Sequence, residues 1–315
     1  MAGRRAVLRI AVFVLTVASA PAAIAKDVPV ARVLPSVVSV LPEWPHDEGR
    51  LEEPEGTGVA ILDGTYLLTA LHVVDKALSV RVRTYDGRII KAEIAARDSA
   101  TDLALLSVDV RLPPLSFGGD VVLGEPVCAV GNAFGLGLSV SCGIVSALHR
   151  AGIGFNAIED FVQTDAAVNP GASGGALVDR EGRLVGVLSA IFTKGSDANI
   201  GVNFAIAAPL ASRVAEALAS DGAVEWRFGG MALAAFPEQG STGREAAKVM
   251  RLTPGGPAAA AGVMPGDHVV AVGGRRVRSP ADVRAAIART RPGEAIGLTV
   301  EREGGTVHLT MEIPH

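Results

Sequence analysis

The chain has 315 residues, 49% hydrophobic and 20% charged, a balance that supports two or three globular domains with sizeable cores. A net charge of −4, with no run of Lys or Arg interleaved with aromatic residues, excludes an electrostatic footprint for nucleic acid. Residues 226–315 hold 11 basic and 8 acidic side chains, against 18 and 25 in the remainder, as expected of two domains with different surfaces.

Arg4, Arg5 and Arg9 precede an apolar run from Ile10 to Ala18, then Pro21 and the small-residue pattern Ala23-Ile24-Ala25. This layout predicts a secretory signal peptide over residues 1–25, with an uncleaved anchor as the competing reading. An oxidising compartment follows, in which the two cysteines, Cys128 and Cys142, could pair. A hairpin centred near Gly135 would set them opposite each other; the alternative is two buried thiols acting as small hydrophobes.

Residues 28–40 are apolar but broken by Pro29 and Pro35, and Pro42 to Glu55 reads as an acidic, exposed loop. Short β-rich segments follow, expected at 58–62, 66–70, 79–83, 89–95 and 103–108, separated by Asp63-Gly64 and Asp86-Gly87. A second set is expected at 126–130, 139–147, 161–164, 176–178, 184–191 and 201–206. Closely spaced short strands predict a barrel or sandwich. Leu210, Val214 and Leu218 then recur at helical spacing, closing a domain of residues 26–222 before Asp221-Gly222. Residues 226–315 read as a separate α+β module with strands expected at 231–236, 248–252, 268–272, 296–301 and 307–313. Its one clear helix starts at Ser279 as N-cap, Pro280 at the first position and Asp282 three residues after the cap.

The chemistry centres on Gly171-Ala172-Ser173-Gly174-Gly175. A serine between glycines lets a substrate backbone come close to the hydroxyl, but that hydroxyl needs a base and an orienting acid. His72, in Thr69-Ala70-Leu71-His72-Val73-Val74, and Asp102, in Thr101-Asp102-Leu103-Ala104, supply one candidate for each. Alone, the first reads as structural and the second as a strand cap. Together with Ser173 they follow the chain order of the double-barrel serine proteases. The rival G-x-S-x-G elbow requires a helix after the serine and an Asp and a His beyond it. Here a strand, a turn and a strand follow instead.

These motifs, with Gly56-Thr57-Gly58, Ala129-Val130-Gly131-Asn132-Ala133-Phe134-Gly135, Ser141-Cys142-Gly143-Ile144-Val145-Ser146 and Gln163-Thr164-Asp165-Ala166-Ala167-Val168-Asn169-Pro170, resemble the HtrA (Deg) family of secreted serine endopeptidases. The resemblance implies a mainly β, chymotrypsin-like double barrel, an active site in its cleft and a C-terminal PDZ domain. It implies that His72, Asp102 and Ser173 are catalytic, and that the N–H groups of Gly171 and Ser173 form the oxyanion hole without metal or cofactor. Leu188, Ser189, Ala190, Val202, Asn203 and Phe204 would line the specificity pocket. The family usually has Asn at Ala172 and glycine at Asn203. In the C-terminal module, Pro254-Gly255-Gly256-Pro257 and Pro265-Gly266-Asp267 resemble a PDZ domain whose peptide-binding loop is Phe228, Gly229, Gly230 and Met231. Gly230 stands where the family tends to have a bulky residue, which predicts weak peptide binding. Unfolded or damaged periplasmic polypeptides, C-terminal peptides and a homotrimer are the implied partners. A scaffold or chaperone whose triad rests inactive is the alternative function. Since the base must be neutral, activity is expected to fall at acid pH.

Overall fold

The structure, a computed structural model, describes residues 29–45, 56–191, 200–237, 245–303 and 305–314. The expected signal peptide and most of the acidic loop lie outside them. A short helix α1 (Val30–Val33) leads into the first closed barrel: β1 (Val37–Glu43), β2 (Gly56–Ile61), β3 (Tyr66–Ala70), β4 (Ser79–Arg83), β5 (Ile89–Asp98) and β6 (Leu103–Val108), joined in the order β1-β2-β3-β6-β5-β4. A one-turn helix α2 (Leu71–Val74) follows β3. The second closed barrel joins β7 (Pro126–Gly131), β8 (Ser139–Arg150), β9 (Phe161–Thr164), β10 (Ala176–Val178), β11 (Leu184–Ile191) and β12 (Asn203–Ala207) in the order β10-β11-β12-β9-β8-β7.

The apolar runs of β2, β3 and β6 lack alternation because both of their faces are buried. Ala60, Leu67, Ala104 and Leu106 fill the first barrel. Their neighbours Val59, Ile61, Leu68, Leu103 and Leu105 pack outward against Val130, Phe161 and Val187 of the second. A helix α3 (Ala208–Asp221) seals this seam with Leu210, Ala211, Val214, Ala215 and Leu218, and ends at Gly222 in the left-handed conformation. The interior of the second barrel holds Val127, Val145, Leu177, Leu188 and Ala205.

β1 falls where prolines predict a break. At Pro42 the strand pairs only with β4, so the missing N–H leaves no ladder bond unmade. β12 begins at Asn203, two residues after the expected start. The β7–β8 hairpin registers Cys128 against Cys142, and the two sulfurs are bonded at 2.00 Å, which settles the pairing left open by the sequence.

The C-terminal module is a sheet of β13 (Met231–Phe236), β14 (Ala246–Leu252), β15 (His268–Val272), β16 (Arg275–Arg276), β17 (Ala295–Arg302) and β18 (Gly305–Glu312), with β13 at an edge. A short helix α4 (Pro257–Ala260), not foreseen, and α5 (Pro280–Ala288) cover it. The Ser279 hydroxyl accepts from the Asp282 N–H at 3.1 Å, and Val283 and Ile287 enter the core. Among the described residues no helix is long and apolar enough to cross a membrane.

Candidate active site

α2 brings His72 to the turn before β6. Its Nδ1 lies 2.6 Å from Asp102 Oδ2, and its backbone N–H donates to Asp102 Oδ1 at 2.9 Å. An ionised carboxylate can only accept, so this pairing puts the ring proton on Nδ1 and leaves Nε2 its lone pair. Asp102 is 18% exposed and the imidazole 51%, so the outer edge of the ring faces the cleft. Asp102 itself has φ of 61°, a conformation that short polar side chains tolerate.

The turn that presents Asp102 is held from several sides. Buried Asp98 accepts the Thr101 N–H at 3.1 Å, the Thr101 hydroxyl at 2.5 Å and the Trp226 indole N–H at 3.0 Å. The Asn156 side chain donates to the Thr101 carbonyl at 3.1 Å, and the Ile158 N–H donates to the Ala100 carbonyl at 2.9 Å. The loop carrying Asn156 is shaped by buried Glu159, which accepts the N–H groups of Ile153, Gly154, Phe155 and Asn156 at 2.6–3.0 Å.

Ser173 reaches this corner because its loop is bonded to the first barrel. The Thr57 N–H donates to the Ser173 carbonyl at 2.9 Å. The Thr57 hydroxyl donates to the Gly171 carbonyl at 2.7 Å and accepts the Asn132 N–H at 2.8 Å. Thr69, just before Ala70 and α2, donates its hydroxyl to the Thr57 carbonyl at 2.7 Å. Gly174 has φ of 83°, and a Cβ there would stand 2.1 Å from Thr57 O and 2.8 Å from Ala70 N. Only glycine admits so close an approach.

Two peptide planes orient the N–H groups expected to act as oxyanion donors. The Pro170 carbonyl accepts the Phe134 N–H at 2.7 Å, and the Ala172 carbonyl accepts the Gly175 N–H at 2.9 Å. In a trans peptide the next N–H points the opposite way, so Gly171 and Ser173 turn theirs away from these anchors. Among the described residues neither N–H is donated to a protein acceptor. The Ser173 hydroxyl bonds the Ser189 carbonyl at 3.4 Å rather than the imidazole.

The segments expected to line the specificity pocket divide. Leu188 is fully buried in the second barrel, and Phe204, 4% exposed, packs on Phe155 and Phe161 at ring distances of 5.8 and 5.6 Å. Both side chains are buried. Ser189 turns its carbonyl to Ser173, Val202 is half-buried, and the buried Asn203 amide donates to the Ala166 carbonyl at 2.8 Å. The side chain of Ala190 lies outside the described residues. Phe228, Gly230 and Met231 line a separate cavity of about 430 Å³ on the C-terminal module, with Gly229 beside them in the chain. Among the described residues no cluster of His, Cys, Asp or Glu could hold a metal ion. Sequence reasoning missed the bridging roles of Thr57, Thr69 and Phe134. The available signal was a threonine between two glycines in an otherwise apolar strand.

Residues 56–187 match a trypsin-like peptidase domain and residues 227–313 a PDZ domain. A probable periplasmic serine endoprotease, DegP-like, of Halomonas elongata is 36% identical over 283 residues, covering 87% of this chain and 59% of that protein. Its counterpart in Chlamydia trachomatis serovar D is 37% identical over 266 residues, covering 82% and 53%. The chain thus spans between about half and three fifths of these curated relatives. Among solved structures, the HtrA-type protease AlgW with tripeptide is 37% identical with a TM-score of 0.69, covering 90% of this chain and 95% of that one. The serine endoprotease from Yersinia pestis is 34% identical with a TM-score of 0.55, covering 90% and 96%.

Proposed function

Since the chain belongs to the HtrA (Deg) family, a trypsin-like peptidase domain followed by one PDZ domain, we propose that it is a serine endopeptidase acting on unfolded or damaged polypeptides of the periplasm. The observation that carries this reading is the 2.6 Å contact of His72 with Asp102, bonded through Thr57 and Thr69 to a serine loop in which the Gly171 and Ser173 N–H groups have no protein acceptor among the described residues. Ser173 attacks the scissile carbonyl while His72 Nε2 takes its proton and returns it to the leaving amine. Asp102 holds the ring and stabilises its charged form. The Gly171 and Ser173 N–H groups receive the oxyanion, a role worth about 3 kcal/mol per donor. Water then releases the acyl group by the same proton route.

One observation favours a second reading. The Ser173 hydroxyl donates to Ser189 rather than to His72, so a rotation about its χ1 must precede attack, and the triad could rest unengaged as a chaperone or scaffold until substrate arrives. Labelling with a fluorophosphonate probe, with and without unfolded casein, separates the two. Labelling and casein cleavage that vanish in Ser173→Ala, with unchanged circular dichroism, are expected. Unchanged cleavage by that variant overturns the assignment. Labelling that appears only with casein identifies the resting state. Signal-peptide removal after Ala25 and a homotrimer are part of the same reading, checked by N-terminal sequencing of exported protein and by analytical ultracentrifugation.

A further inference from the structure

β13 is the terminal strand of its sheet and pairs only with β14, so its outer row of N–H and C=O groups is open to an added strand. At its head Gly229 and Gly230 have φ of 71° and 74°. Their carbonyls are tied inward, to the Ala258 N–H at 3.0 Å and the Thr253 N–H at 2.8 Å. The planar trans peptide then turns the Gly230 N–H outward. Among the described residues neither glycine donates its N–H to the protein. A C-terminal carboxylate caught there sets the peptide antiparallel to β13.

Strand alternation fixes what each peptide residue faces. Met231, Leu233, Val249 and Leu252 belong to the apolar core. Ala232 and Ala234 therefore face the other way, beside their β14 partners Arg251 and Lys248. With the last peptide residue opposite Met231, the penultimate one shares the face of Ala232 and Arg251. The fourth from the end shares that of Ala234 and Lys248. The alanines leave room: Gly230, Ala232 and Arg251 line one cavity of about 430 Å³. Neither Arg251 nor Lys248 has an acidic partner among the described residues. Arg251 and Lys248 thus give this edge positive charge.

We propose that the PDZ module selects C-terminal peptides with an acidic penultimate residue, read by Arg251, and a weaker preference for acid at the fourth position, read by Lys248. This rests on the strand-addition reading of Phe228 to Met231. The test titrates labelled peptides ending in Asp-Val or Lys-Val, otherwise identical, onto the S173A chain by fluorescence anisotropy, alongside the Asp-Val peptide with an amidated C-terminus. The Asp-Val peptide should bind about fivefold tighter, the size expected of an exposed charge pair. High salt should shrink the difference, Arg251→Glu should reverse the order, and amidation should abolish binding. Equal affinities, or an order unchanged in Arg251→Glu, overturn the preference while loss of binding on amidation keeps the strand-addition reading. Binding indifferent to amidation overturns that reading and the preference together, as does no binding of the Asp-Val peptide at about 1 mM.

Discussion

The Thr57 hydroxyl donates to the Gly171 carbonyl and accepts from the Asn132 N–H, so valine in its place keeps the volume but breaks both of these buried hydrogen bonds. Each loss costs about 1–3 kcal/mol. Because one of those bonds ends at Gly171, whose N–H is a proposed oxyanion donor, the loss is expected in catalysis as well as in stability. Thr57→Val should lower kcat about tenfold with KM little changed, and should slow fluorophosphonate labelling of a protein that still melts cooperatively. A variant that labels at the wild-type rate would show that the loop holds its shape without this bridge. The contact of His72 with Asp102 is legible in the sequence through the chain order of the two with Ser173, since each alone reads as structural, and Ser173 stands out among its glycines. Thr57 is not legible in that way. Its partners are backbone groups, which leave no mark on residue type.

The strands are legible where turn residues bracket short apolar runs, and the spacing of Cys128 and Cys142 about Gly135 makes their opposition across a hairpin legible but not the bond that joins them. β1 is hidden because Pro35 before it and Pro42 within it read as breaks, while the barrel tolerates Pro42 at a position paired on one side. The turn from Asp98 to Asp102 shows what an element gains from distant chain. Asp98 binds Thr101 through one oxygen and the indole of Trp226, 128 residues away, through the other. A linker residue thereby steadies the turn that aims the proposed catalytic carboxylate. Trp226→Phe keeps an aromatic ring but removes the N–H together with the five-membered ring, and should cost at least about 1.5 kcal/mol, the value for a hydrogen bond to a charged acceptor. If the indole positions Asp102, kcat should fall about fivefold while KM stays constant, and Asp98→Asn, which keeps one acceptor oxygen for Thr101 and loses the one facing the indole, should retain more activity than Asp98→Leu. Equal losses in the two Asp98 variants would leave only a packing role for the turn.

At the scale of the whole molecule the PDZ module is docked on the protease domain through charge, which the sequence betrays only as an excess of basic residues after position 226. Asp160, fully buried ahead of β9, faces Arg275 at 3.2 Å, Arg289 at 3.4 Å and His149 at 3.2 Å. Burial pushes the Arg275 guanidinium down, and the charge of Asp160 opposes that shift. Further out, Arg213 donates to the Ala288 carbonyl at 2.5 Å and lies 4.6 Å from the Trp226 ring, while Arg291 grips Glu216 at 2.9 Å. The two ion pairs differ in weight. Removing one partner of a buried pair costs about 3–5 kcal/mol, whereas an exposed pair is worth about 1 kcal/mol or less. Asp160→Asn should therefore split thermal unfolding into two transitions and expose the linker near Val224 to limited proteolysis, while Glu216→Gln should leave a single transition. Acid distinguishes them as well. Burial raises the Glu216 carboxyl, but hydrogen bonds from Arg291 and Ser212 outweigh it and hold the group below its ordinary value. A depressed carboxyl contributes stability above the unfolded-state value near 4.3 and loses it as pH falls through the folded value. Wild type should thus lose about 1 kcal/mol or less of docking stability as pH falls below about 4, seen as a small rise in the radius of gyration in small-angle scattering. Glu216→Gln should flatten the first part of that rise. A single sharp transition in Asp160→Asn, with the linker still protected, would place the weight of docking on the apolar seam around Ala288 and Trp226 instead.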